Sequence, residues 1–156
     1  MLEFNYQTIL VGVDGSKTAD KAVSKAIAIA NRNAARLVIA TVINNRDIIG
    51  VSKTARLGFG NVSPETIDRL KNHYQRLVDK YAKQAEDSGV KVKTIVTTGD
   101  PKTVLAREIV LAENIDAIVI GATGANFVGR VTMGSTAAFV IAQAPCDVFV
   151  VHRDRQ

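Results

Sequence analysis

Thr8-Ile-Leu-Val-Gly-Val-Asp14-Gly-Ser16 opens as an unbroken apolar run and closes on an acid-glycine-serine turn. Behind it Ala19, Ala22, Val23, Ala26, Ile27 and Ala30 recur at helical spacing. A strand apolar on both faces needs cover on both faces, which points to a parallel sheet with helices on either side. Four further runs extend the pattern: Leu37-Val-Ile-Ala-Thr-Val-Ile43, Val90-Lys-Val-Lys-Thr-Ile-Val96, Ala117-Ile-Val-Ile120 and Val148-Phe-Val-Val151. The run from Val90 alternates with Lys91 and Lys93, so it is expected at an edge with one wet face.

Helical patterns separate the strands. Ser63-Pro64-Glu65 reads as cap, first helical residue and first-turn acid, and the stripe Ile67, Leu70, Tyr74, Leu77, Val78, Tyr81, Ala85 runs on to Gly89. Asp100-Pro101 opens a third helix with Val104, Leu105, Ile109 and Ala112 on one face. Ser135 is expected to cap a fourth, through Ile141, which Pro145 ends. The order is β-α-β-α-β-α-β-α-β. With right-handed crossovers it predicts a single-domain α/β fold over residues 1–156: an open, Rossmann-like five-stranded parallel sheet, order 3-2-1-4-5. Residues 44–62 hold Gly50, Gly58 and Gly60 without periodicity, and read either as a lid over a ligand or as a floppy insertion.

Composition narrows the function. The 156 residues are 47% hydrophobic and 22% charged, with a net charge of +5. Lys and Arg are spread without aromatic interleaving, so a solvated basic surface is expected rather than a nucleic-acid interface. The apolar runs are too short to span a membrane. Met1-Leu-Glu-Phe-Asn-Tyr-Gln-Thr8 lacks the basic stretch and apolar core of a signal peptide, and the expected location is the cytoplasm. A single cysteine, Cys146, suits a reducing compartment.

In an open α/β sheet of this order, ligands sit outside the carboxyl ends of the first and fourth strands. Val13-Asp14-Gly15-Ser16 meets Gly121-Ala-Thr-Gly124 there, and Gly129 and Gly134-Ser135 follow. Glycines allow positive φ and close approach to backbone amides, and a helix N-terminus behind them makes an anion-binding concavity. The other reading is a glycine-rich connector closing tightly over the sheet. Gly124-Ala-Asn-Phe-Val-Gly129 imitates a P-loop frame but lacks its lysine. Asp14 has a structural alternative as an acceptor for amides of the first helix. Neither His73 nor His152 pairs with a nucleophile in any recognisable order, so no catalytic residue is expected.

Tyr6-Gln-Thr-Ile-Leu-Val-Gly-Val-Asp-Gly-Ser16 resembles the opening of a universal stress protein, and Gly121-x2-Gly124-x9-Gly134-Ser135 matches the motif of that family's ATP-binding branch. Gly99-Asp100-Pro101, Asp116-Ala-Ile-Val-Ile-Gly121 and Ala144-Pro-Cys-Asp-Val-Phe-Val-Val151 are similar to its later signatures. The likeness spans residues 6–152. It implies an adenine nucleotide α-hydrolase-like fold and a nucleotide-dependent stress sensor or switch rather than an enzyme. It further implies ATP, with Mg2+ held mainly by the phosphates, and a homodimer joined through the C-terminal strand. On this resemblance Asp14 lies beside the nucleoside, Gly12 and Val13 line the base and sugar, and the backbone of Val42 meets the adenine. Gly121 and Gly124 lie under the ribose and phosphates. Gly134 and Ser135 contact the terminal phosphates, with Thr136 close behind. Many family members carry Arg or Lys after the second glycine, where this chain has Ala125; the nearest cation in the loop is Arg130. Fewer charge-assisted phosphate contacts are expected to weaken binding. An empty, vestigial pocket in an interaction protein and a slow ATP hydrolase are the alternatives.

Overall fold

The computed structural model describes residues 5–47, 64–123 and 133–153. Five parallel strands form one sheet in the order β3-β2-β1-β4-β5. They are β1 (Thr8–Gly12), β2 (Arg36–Asn44), β3 (Val92–Gly99), β4 (Ala117–Gly121) and β5 (Asp147–Val151). The helices are α1 (Lys17–Asn33), α2 (Pro64–Asp87), α3 (residues 101–112) and α4 (Ser135–Gln143). The expected order and winding are those observed. No described helix is long and apolar enough to cross a membrane.

β1 pairs with β2 on one side, Leu10 opposite Val38, and with β4 on the other, Leu10 opposite Ile118. Its pleat sends Ile9 and Val11 to one layer and Leu10 to the other, and all three are fully buried. Burial of each contributes about 1.5–3 kcal/mol. The first layer joins Ile9 and Val11 to Val23 and Ala26 of α1 and to Val78 and Tyr81 of α2. The second joins Leu10 to Val104 and Ile109 of α3 and to Val140 of α4. An apolar run without alternation is therefore two alternating sets, one for each layer.

Three boundaries differ from expectation. β3 begins two residues later than Val90 and runs to Gly99, because its partner β2 continues to Asn44 and pairs residue by residue through Asn44 opposite Gly99. It is an edge strand with mostly half-buried residues, and Lys93 faces outward to an ion pair. α4 is capped by Gly134, whose extended backbone (φ −72°, ψ 158°) precedes Ser135 as first helical residue; Ser135 is not the cap. Residues 45–47 are helical, so the stretch from Asn44 begins as structure. Its remainder, with Ser63, lies outside the described residues.

α2 has 24 residues, about 36 Å at the α-helical rise. Its buried residues, Val78, Tyr81, Ala82 and Ala85, all lie in its second half. The first half overhangs the carboxyl ends of the strands, with Tyr74 half-buried. A hydrogen bond from the Tyr81 hydroxyl to Asp20 ties α2 to the first turn of α1.

The opposite rim is held by charge. The Asp116 carboxylate accepts from the amides of Gln7 (2.7 Å) and Thr8 (3.1 Å). Glu113 pairs with Lys93 (2.5 Å) and Arg36 (3.3 Å). The Lys93 hydrogen bond first, and the Arg36 charge after it, hold the Glu113 carboxyl below its ordinary range, against the opposing effect of burial.

Two predictions follow from this packing. A Cβ on Gly121 would lie 2.6 Å from Cγ2 of Thr18 on α1, so Gly121→Ala should destabilise by about 1–3 kcal/mol through overpacking. Thr18→Ala should relieve the clash, making the urea-measured loss in the double variant smaller than the sum of the singles. A depressed Glu113 pKa gives stability present above the unfolded-state value and lost as pH falls through the folded one. Glu113→Gln should therefore cost stability at pH 7, and the deficit should shrink at an acid pH where Glu113 has taken up its proton. An equal deficit at both pH values would contradict the ion-pair account.

Candidate functional site

Because the chain winds one way from β1 through β3 and the other way through β4 and β5, the loops after β1 and β4 diverge. A cavity of about 590 Å3 opens between them, within the range that holds small molecules.

Its first wall is the turn after β1. Gly15 has φ +85°, a left-handed turn that suits glycine. The Ser16 amide donates to the Asp14 carboxylate (3.0 Å), and the Ser16 hydroxyl accepts from the Ala19 amide (3.1 Å). Asp14 thus shapes the entry into α1, its structural alternative, while also lining the cavity with its side chain exposed. Val13 is buried and its amide donates to the Ala40 carbonyl (2.9 Å), pinning the floor.

The second wall is α4. The Gly134 amide donates to the Ala122 carbonyl (2.5 Å). Ala138, the first residue to bond back within the helix, donates to the Gly134 carbonyl (3.0 Å). That leaves the amides of Ser135, Thr136 and Ala137 without an intrahelical acceptor, and all three residues line the cavity. With the helix dipole behind them they form a site for negative charge.

Of the sequence-derived residues, Gly12, Val13, Asp14, Val42, Gly121, Gly134, Ser135 and Thr136 all line this cavity. Gly124, like Ala125, Gly129 and Arg130, lies outside the described residues. The reasons for two glycines differ from expectation. Gly134 adopts an extended conformation open to any residue, and its amide is occupied. Gly121 has no positive φ and is glycine because Thr18 fills the space of its side chain.

Other lining residues carry no motif: Thr41, Asn44, Asp47, Tyr74 and Leu105, while Pro101 comes from the Gly99-Asp100-Pro101 segment. Tyr74 belongs to the apolar stripe of α2 and reads as core by periodicity. The excess length of that helix over the sheet is the signal that it projects to the cavity. Burial raises the Tyr74 phenol, and the Asp47 and Asp14 carboxylates raise it further, so at neutral pH it is protonated and able to donate.

The cavity has two chemical sides. Asp14, Asp47, Tyr74 and Thr41 are polar, while Ala40, Leu105, Ile120 and Met133 are apolar. Among the described residues the lining contains two carboxylates and no lysine or arginine, and no group of three metal-ligating side chains occurs. Burial pushes the Cys146 thiol up to about 11, so it is protonated at neutral pH and poorly nucleophilic. Exposed His73 stacks edge-on against Tyr74 (5.4 Å) without lining the cavity. His152 lies past β5, where its carbonyl accepts from Lys21 (3.0 Å).

The family model described as the universal stress protein family matches residues 5–152. A Staphylococcus aureus (strain USA300) protein assigned to the universal stress proteins is 32% identical over 150 residues, covering 96% of this chain and 86% of that protein. Among solved structures, hypothetical protein MJ0577 superposes with a TM-score of 0.82 at 27% identity, covering 97% of this chain and 99% of that one. A universal stress protein crystallised in complex with cAMP superposes with a TM-score of 0.65 at 26% identity, over 95% and 98% of the two chains. Sheet order, signature segments and a match across nearly the whole length agree, and the chain belongs to the universal stress protein family.

Proposed function

We propose that this protein binds an adenine nucleotide, ATP, in the switch-point cavity and acts as a nucleotide-dependent sensor or switch in a stress response. The observation that carries the reading is the convergence of three helix-terminal amides with an apolar wall and a carboxylate wall in one cavity. Triphosphate, base and ribose are matched in turn. That a family member at 26% identity is in complex with cAMP supports an adenine nucleotide as the class of ligand.

The roles follow the walls. Ser135 and Thr136 present amides and hydroxyls to the phosphates. Gly134 shapes the turn without lending its amide. Gly12, Val13 and Val42 face the base, Asp14 the sugar, and Gly121 holds the floor against α1. Two carboxylates and no cation in the described lining oppose a bare tetra-anion, so the nucleotide enters with Mg2+ on its phosphates. The ion neutralises phosphate charge. We assign the protein no catalytic residue and place it in the cytoplasm.

The occupied Gly134 amide, together with the lack of a cation among the described lining residues, favours a second reading, an interaction protein with a vestigial pocket. In either case β5 is the surface for a second copy. Among the described residues it pairs with β4 alone, and Phe149 is 38% exposed. Such an edge invites strand pairing.

Equilibrium dialysis separates the readings. Saturable ATP binding in the micromolar range with Mg2+, at least about tenfold weaker with EDTA, is expected; no binding up to millimolar ATP would establish the vestigial pocket. Ser135→Asp should abolish binding while leaving thermal stability equal or higher, since a carboxylate favours a helix N-terminus but repels phosphate. Undiminished affinity in that variant would refute the phosphate assignment. Sedimentation should give a dimer at micromolar concentration, and Phe149→Glu should give a monomer; a monomeric parent protein would contradict the edge-strand interface.

A further inference from the structure

α3 is not a regular helix. Its middle, Val104–Glu108, is a π turn in which the Ile109 amide donates to the Val104 carbonyl, five residues back. Single π turns inside α-helices are frequent at functional sites. Here the inserted residue broadens the face that α3 lays on the sheet. Val104, Leu105 and Ala106 are consecutive and all buried, and Ile109 and Val110 follow. At about 100° per residue, a regular helix would turn one of those three toward solvent.

The broadened face meets two glycines. Val104 points at Gly99, the last residue of β3, where an added Cβ would lie 2.9 Å from Val104 Cγ2. Leu105 points at Gly12, the last residue of β1, where an added Cβ would lie 3.1 and 3.3 Å from its two methyl carbons. Adjacent residues of one turn are thus sent to strands on either side of β2. Leu105 lines the cavity and Val104 does not.

We propose that Leu105, carried by the π turn into the space that Gly12 leaves open, seats the base of the nucleotide and sets a preference for a purine over a pyrimidine. This rests on the nucleotide reading above. Leu105 stands on the apolar side with Ala40 and Ile120, opposite the polar wall of Asp14, Asp47 and Tyr74. A flat double ring covers that apolar surface. A single ring leaves part of it in contact with water or void. An aliphatic contact of one or two carbons discriminates by about 10- to 200-fold. Gly12 fixes how far the leucine methyls stand back from the ligand.

Calorimetric titration of ATP, CTP and inorganic triphosphate, each with Mg2+, into the intact chain tests this. The unaltered protein should prefer ATP over CTP by about tenfold or more. Leu105→Ala should bring that ratio near one without changing triphosphate affinity. Val104→Ala removes buried carbon from the same turn but faces Gly99, and should keep the ratio. Gly12→Ala should push the leucine into the cavity and weaken ATP, and adding Leu105→Ala should not compound that loss. If Leu105→Ala does not fold, Gly12→Ala alone carries the test, and unchanged ATP affinity there overturns the proposal. A folded Leu105→Ala protein with its ATP/CTP ratio intact overturns the role of Leu105 while leaving nucleotide binding standing. No nucleotide bound by the unaltered protein overturns the functional reading itself.

Discussion

The parallel pairing of β1 with both β2 and β4 is the constraint from which the rest of the molecule follows. Every residue of β1 from Thr8 to Val11 is buried, and its backbone is bonded on both sides. Those hydrogen bonds leave no room for a loop to cross the sheet at its centre, so the segments after β1 and β4 must part. The crevice they leave is a product of topology before any side chain is chosen. Close packing then sets its floor: Thr18 against Gly121 on one face of the sheet and Leu105 against Gly12 on the other.

What was legible in the sequence was whatever repeats or breaks a pattern. Apolar runs alternating with helical patterns led, through right-handed crossovers, to the sheet order, and the alternation of Lys91 and Lys93 with valines placed the third strand at an edge. Asp14 and Ser16 were visible as a turn entering a helix, and Gly134-Ser135 as the entry into another. The π turn was not visible, since Val104, Leu105 and Ile109 sit as well on one face of a regular helix. It arises from the demand that two adjacent side chains reach two different strands. Tyr74 was hidden by its place in a regular stripe. Only the length of α2 relative to the sheet turns it from a core residue into a wall of the cavity.

Glycine was the feature most open to misreading. A glycine near a proposed phosphate suggests freedom of φ, yet Gly121 is explained by a threonine methyl and Gly134 has an extended backbone without strain. Positive φ occurs instead at Gly15, in the turn after β1, where the backbone reverses before α1. The amides of the α4 terminus do not depend on such freedom. They are presented by the cap itself, with Ala122 taking the Gly134 proton and leaving the next three pointing along the axis. Charge follows the same division. Both rims of the sheet carry carboxylates, but on the amino side they meet Lys93, Arg36 and the amides of Gln7 and Thr8. On the carboxyl side Asp14 and Asp47 face the cavity.

The measurement that bears most directly on this account is a nitrogen-15 NMR titration of the protein with ATP and Mg2+. The account predicts saturable shifts in the amides of Ser135, Thr136 and Ala137 together with Gly12 and Val13, with the Glu113–Lys93 rim unmoved. Saturable shifts confined to other residues, or none in the α4 amides at saturating nucleotide, would contradict it.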